Sequence, residues 1–385
     1  MQLSGEDSLR LNVMMAQDIQ AVRIDENRMQ VYGLTSDGEV RVDLNPAGKS
    51  EQYIKRVREF LSGHVFGSPG GYPVFISRWT RMGQAKAENL QKLLMLGEPE
   101  AVTAVVHAQG LTAEIGHLAW WCMPESESAR RMLEKTAIAQ SDLGPVLAGH
   151  LYEHLAFETE PQPMIDSVRL MLQPGLIDRE KIEKLWRSGQ LKNTYLVGFL
   201  QAMPQSLPHE RAARSDYDEV LQAAIATGVA ENPYMQQLLW WLSGPGQAYL
   251  DTVKTVLKKP SNQDVVVLLL NTMHQQLAAC LPVDLQSAPE EIDELDARVT
   301  GLSGPGSSEF ERADSAWQEL LDSQPACIKD LQALSWLAQV SEKLVSGIFA
   351  QTTAVGTLMR KKLMPVTTPI FERIDGLLAP RDNDI

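Results

Sequence analysis

The most chemically suggestive string in the chain is His150-Leu151-Tyr152-Glu153-His154, two histidines with a glutamate between them. On a helix, residues four apart lie on one side, so two imidazoles could share a zinc ion while the glutamate served as base. The same stretch carries Leu143, Leu147, Leu151 and Leu155 at core spacing and offers no identifiable third ligand. The plainer expectation is that both histidines flank a buried seam and that no metal is held. Cys327 is the second candidate. It follows Pro325-Ala326 at an expected helix start, where the positive end of the helix dipole favours thiolate and could support a persulfide. Cys122 and Cys280 sit among Trp, Ala and Leu and are expected to be small buried hydrophobes. Three cysteines without a CxxC make neither a disulfide framework nor a cysteine-held zinc or iron–sulfur centre, so no cofactor is expected.

A third chemical stretch runs from Leu61 to Gln84 (LSGHVFGSPGGYPVFISRWTRMGQ), with five glycines and two prolines beside aromatic and cationic side chains. Neither GxxxxGK[ST] nor a strand-to-helix GxGxxG is present, which argues against nucleotide binding. The stretch is expected to be a structural joint, with His64, Tyr72, Arg78, Trp79 and Arg81 as the residues on which a partner or anionic ligand would bear. Residues 49 to 92 hold eight Lys or Arg (Lys49, Lys55, Arg56, Arg58, Arg78, Arg81, Lys86, Lys92) against three glutamates. That surplus beside Tyr72 and Trp79 makes RNA a possible ligand through charge and stacking, the alternative being that Arg78 and Arg81 pair with acidic helices.

The elements that must position these groups follow from pattern. Ser4 and Asp7 form a capping pair for a first helix carrying Leu9, Val13 and Met14. The period then changes to two over 20–25, 29–34 and 39–44, with Thr35-Ser36-Asp37-Gly38 as a hairpin turn, which predicts a three-stranded meander. A helix from Ser50 with Tyr53, Val57, Phe60 and Leu61 on one face, and a fourth strand over 73–79, complete a small α+β domain ending at residue 84.

Beyond Ala85 the pattern is helical, with proline or glycine at the breaks. Pro124, Pro163, Pro204 and Pro245 are spaced 39, 41 and 41 residues apart, each after an aromatic-bearing stretch: Trp120-Trp121, Phe157, Phe199 and Trp240-Trp241. Two of these share a string, Met123-Pro124-Glu125-Ser126 and Met203-Pro204-Gln205-Ser206. A spacing near 40 suits helix-pair repeats, so the expected fold class is mainly α: domain 1–84, then a HEAT-like or irregular helical-repeat array over 85–281. An acidic and Gly/Ser-rich loop is expected over 282–310 and a helical block over 311–385. In that block residues 326–362 form one long or once-broken helix, its end carrying Arg360, Lys361 and Lys362 where cations suit the dipole. Of each tryptophan pair, one ring is expected in the core and the other against a neighbouring repeat or solvent, packing being a plainer role than a partner hot spot.

Composition bounds the function. With 385 residues, 44% hydrophobic, and a formal charge of -14, the chain belongs with ordinary globular proteins and is repelled by polyanions in general, so no DNA is expected. The amino terminus has no signal-like region, and the longest aliphatic run, Val265 to Leu270, is too short for a bilayer. No membrane contact and a cytoplasmic location are expected.

Several strings taken together carry a resemblance: RIDENRMQVYGL (23–34), SGHVFGSPGGYPVFISRWTRMGQ (62–84), LGEPEAV (96–102), LAWWCMP (118–124), ARRMLE (129–134), DSVRLMLQPGLI (166–177) and KNTYLVGFL (192–200). They resemble the DsrS family, soluble sulfur reduction proteins encoded with dissimilatory sulfite reductase in sulfur-oxidising bacteria. The resemblance implies an accessory or regulatory part in cytoplasmic sulfur oxidation, with a protein partner in that pathway. It supplies no catalytic motif to place on particular residues, and the expectation is a non-enzymatic protein.

Overall fold

The computed structural model describes residues 3–46, 48–67, 87–282, 289–302, 309, 313–351 and 354–378. These form twenty α-helices and one three-stranded antiparallel sheet, so the chain is mainly α with a small α+β beginning. Contacts divide it into two compact units, residues 1–156 with 173–176, and residues 157–172 with 177–385. The boundaries expected at 84 and 310 fall within undescribed stretches, as does the strand expected over 73–79.

In the first unit, helix α1 (Gly5–Met15) begins where Ser4 Oγ accepts the Asp7 N–H, the capping contact expected from sequence. Its buried face differs from the expectation. Leu9 and Val13 are exposed, at 65% and 57%, while Asp7, Leu11, Met14 and Met15 are buried. The seam starts with a carboxylate because Tyr53 Oη–H and the Asn45 N–H (2.9 Å) both donate to Asp7 Oδ2, which offsets part of the cost of its burial, while Oδ1 accepts no hydrogen bond and has the Arg10 guanidinium 3.8 Å away. Strands β1 (Ala21–Asp25), β2 (Gln30–Thr35) and β3 (Gly38–Asp43) make the expected meander in the order β1-β2-β3. Ile24, Val31 and Val42 are in register, and one sheet face packs its valines with Leu11 and Met14 of α1 and with Tyr53, Ile54, Val57 and Leu61 of α2 (Ser50–Phe66). Gly67 ends α2 at φ 68°, a left-handed cap that suits glycine.

Six helices complete this unit: α3 (Ala87–Leu94), α4 (Pro99–His107), α5 (Ala113–Cys122), α6 (Ser126–Leu133), α7 (Thr136–Ala139) and α8 (Leu143–His154). Helices α3 and α5 pack on β1, and α6 packs on α8.

The second unit comprises α9 (Pro161–Met171), α10 (Arg179–Gly189), α11 (Thr194–Ala202), α12 (Tyr217–Ala226), α13 (Pro233–Leu242), α14 (Gly244–Lys258), α15 (Gln263–Leu277), α16 (Ile292–Gly301), α17 (Ser315–Ser323), α18 (Ile328–Ala338), α19 (Lys343–Ala350) and α20 (Gly356–Leu378). Its centre is α11, buried throughout Thr194–Leu200 and packed on α9, α10, α14 and α15. Gly198 permits the α9 contact, since a Cβ there would lie 2.7 Å from Val168 Cβ and 2.9 Å from the Ile165 carbonyl oxygen. Helix α14 also packs on α20, far along the chain, so the unit closes on itself. Of the evenly spaced prolines, Pro124 and Pro204 follow helix ends, whereas Pro163 and Pro245 lie in the first turns of α9 and α14.

Two expectations for the carboxyl-terminal part are corrected. The stretch expected to be an acidic loop contains α16, held by Leu295, Val299 and Leu302, all buried at helical spacing behind an acidic first turn. The long helix expected over 326–362 is instead α18, α19 and the start of α20, so Arg360, Lys361 and Lys362 lie near the beginning of a 23-residue helix. Pro365 and Pro369 lie inside that helix, where sequence rules place a stop. Among the described residues, no helix is long and apolar enough to cross a membrane.

Candidate partner-binding site

Strand alternation sends the residues between the core valines of β1–β3 to the other face of the sheet. Arg23 of β1 and Tyr32 of β2 are register partners there, followed by Arg41 of β3. The end of α5 brings Trp121 alongside. The Arg23 guanidinium sits 4.9 Å from the ring centroid of Tyr32 and 4.9 Å from that of Trp121, stacked between two aromatic faces. Its Nη2 donates to Glu39 Oε2 at 3.2 Å, and the Trp121 indole N–H donates to the same oxygen at 3.2 Å. Arg23 remains 36% exposed and Glu39 40% exposed, so water reaches all of this cluster. Cation–π contacts and ion pairs at such exposure contribute about 0.5–1 kcal/mol each. Their effect is to hold three large side chains in one arrangement before anything binds.

Beside the cluster runs a groove of about 670 Å³ lined by Glu26, Arg28, Arg58, Met123 and Pro124. Arg58 spans one wall, paired with Glu26 and donating to the Gly97 carbonyl. Cys122 underlies it as a structural thiol, its Sγ 3.6 Å from the Val22 carbonyl and its pKa pushed up to about 12 by burial. The Met-Pro string that ends α5 has its counterpart at the end of α11. In both, the methionine N–H bonds four residues back (Met123 to Ala119, 3.0 Å; Met203 to Phe199, 2.9 Å) as the helix ends. The second string also lines a groove, of about 890 Å³, with Arg179, Trp186, Arg187, His209 and Arg211. The tryptophan pairs divide unequally. Trp241 is buried edge-on to Tyr249 while the Trp240 N–H bonds Gln205, as expected, but both Trp120 and Trp121 stay half-buried.

The residues singled out from sequence are scattered. His64 is exposed in the last turn of α2, and Tyr72, Arg78, Trp79 and Arg81 lie outside the described residues. His150, Glu153 and His154 are at the end of α8. The two imidazoles stack 3.9 Å apart, Trp120 meets His150 edge-on at 4.9 Å, and His154 Nδ1 bonds the His150 carbonyl at 2.9 Å. Among the described residues there is no group of three or more His, Cys, Asp or Glu that could hold a metal ion. Leu143, Leu147, Leu151 and Leu155 form the seam beside them. Cys327 is 2% exposed, in a short 3₁₀ turn (Pro325–Cys327) ahead of α18, with its thiol below the surface.

His150 gives a pH prediction. Burial, then the neighbouring His154, holds its pKa below the ordinary histidine value. The folded chain therefore binds fewer protons there than the unfolded chain, and stability is lost as pH falls below about 6.5, the unfolded value. Melting temperature should drop between pH 7.5 and pH 5.5 in the wild type and drop less in His150→Gln, which circular dichroism can follow.

Compared with protein-family models, with curated proteins and with solved structures, the chain matches none.

Proposed function

We propose that this chain is a cytoplasmic, non-catalytic accessory protein of dissimilatory sulfur oxidation that binds a protein partner through the outer face of its sheet and Trp121. The observation that carries the binding role is the half-exposed stack of Tyr32, Arg23 and Trp121, the residue types that dominate binding energy at protein interfaces, already fixed in place by Glu39. Charge favours a protein over a polyanion as the ligand. On this face Arg23 and Arg41 alternate with Asp25, Glu39 and Asp43, which balances the surface rather than making it basic. The pathway rests on the resemblance of strings such as RIDENRMQVYGL and LAWWCMP, which contain Arg23, Tyr32 and Trp121 themselves.

The test is affinity capture from an extract of sulfur-oxidising cells, followed by titration of the captured protein. Trp121→Ala should weaken binding by roughly 30-fold, the equivalent of a hot-spot loss of about 2 kcal/mol. Trp186→Ala, in the groove of the second unit, should leave it unchanged. Capture of no sulfur-pathway protein, or equal binding by Trp121→Ala, would contradict the proposal.

A further inference from the structure

Helix α20 carries a cluster of cations against its own dipole at its start, while its end mixes Arg373 with two carboxylates. Arg360, Lys361 and Lys362 lie in its second turn, near the positive end, and Glu372 and Asp375 lie in its last two turns, near the negative end. Arg360 donates to Thr357 Oγ1 at 2.9 Å, and among the described residues no carboxylate pairs with any of the three cations. The carboxylates at the other end have partners within the chain, Asp375 the Lys254 ammonium of α14 and Glu372 the Arg373 guanidinium at 3.8 Å, so the three cations are the charges that a partner surface would meet.

The solvent strip of α20 has the spacing of a helix–helix seam. Flanking the buried Met359, Leu363, Val366, Ile370, Ile374 and Leu377, about 100° round the helix, the positions Leu358, Lys362, Pro365, Pro369, Glu372 and Gly376 recur at intervals of 4, 3, 4, 3 and 4 residues. Leu358 is 57% exposed and Glu372 65% exposed. The strip is also self-complementary. An antiparallel copy related by a two-fold axis level with Thr367, which itself faces the interior, sets Lys362 against Glu372, Leu358 against Gly376 and Pro365 against Pro369, each pairing made twice. Nothing lies within 4 Å of where a Cβ of Gly376 would be, which leaves room for the leucine of the other copy.

We infer that α20 is a homodimerisation helix, the occupant of its exposed strip being the same strip of a second copy in antiparallel register. This surface belongs to the second unit and does not depend on the partner role proposed for the first.

The test is sedimentation equilibrium of the full chain with charge reversals. The wild type should dimerise, and Lys362→Glu and Glu372→Lys should each weaken self-association by about 10- to 100-fold, because like charges then face one another twice. The double variant Lys362→Glu/Glu372→Lys should dimerise again, and an equimolar mixture of the two single variants should form the heterodimer. Both reversals are on exposed side chains, and circular dichroism should show the folded helix content in every variant. A wild type that is monomeric at about 100 μM, well above a micromolar dissociation constant, would overturn the inference. So would a dimer indifferent to the single reversals, or a double variant that fails to recover.

Discussion

Asp330→Ala is expected to destabilise the second unit by about 3–5 kcal/mol, measured as a shift of the urea midpoint, because it leaves a buried guanidinium short of its principal acceptor. The Arg214 side chain is 0% exposed and Asp330 8% exposed. Arg214 Nη1 and Nη2 donate to the two Asp330 oxygens at 3.1 and 2.8 Å, and Nε and Nη2 donate to Asp216 at 2.6 and 2.9 Å. Its backbone N–H also bonds the Leu242 carbonyl, at 2.9 Å. One arginine thus joins the segment before α12, the end of α13 and the first turn of α18. Asp216 keeps part of the compensation in the variant, which places the loss toward the lower end of that range. Removing all three charges, as Arg214→Met with Asp330→Leu and Asp216→Leu, should recover most of it, since apolar groups avoid the desolvation that the ions incur and no buried carboxylate is left unpaired.

Trp317→Ala should cost about as much, 3–5 kcal/mol in round terms, through a cavity rather than a charge. Trp317 is 1% exposed in α17, meets Tyr234 edge-on at 5.3 Å, and donates its indole N–H to the Leu302 carbonyl at 2.8 Å. That last bond fastens the end of α16 to the body of the unit. Hydrogen exchange should therefore rise over residues 292–302 in Trp317→Ala beyond the rise seen elsewhere. Trp317→Phe, which keeps most of the ring volume and loses the N–H, should fall between the two, at about 1–2 kcal/mol.

The features legible in sequence are the local ones. Ser4 with Asp7, the Thr35–Gly38 turn and the alternation of Val40 and Val42 each act over a few residues, and each is found as expected. Errors arise where a tertiary partner changes a residue's cost. Asp7 enters the core because Tyr53 and Asn45 donate to it, and that pushes Leu9 and Val13 outward. Acidic composition hides α16, whose three apolar residues are sufficient once it packs on α18 and Trp317 bonds the Leu302 carbonyl. In α20, Pro365 and Pro369 occur within the helix because the unit packs Leu363, Val366 and Ile370 on its other side. The candidate site was half visible: Trp121 stands beside a repeated Met-Pro string. Its partner Glu39 is 82 residues away, and only the register of the sheet and the docking of α5 on β1 bring them together.

The face bearing Arg23, Tyr32 and Trp121 is proposed to bind a protein of the sulfur pathway. Crosslinking in living sulfur-oxidising cells, read by mass spectrometry, tests it most directly. Crosslinks are expected from residues bordering that face to a single sulfur-oxidation protein, lost when Arg23→Ala and Trp121→Ala are combined in a chain that still folds. Crosslinks that persist in the double variant, or that join this face to no protein of the pathway, would contradict it.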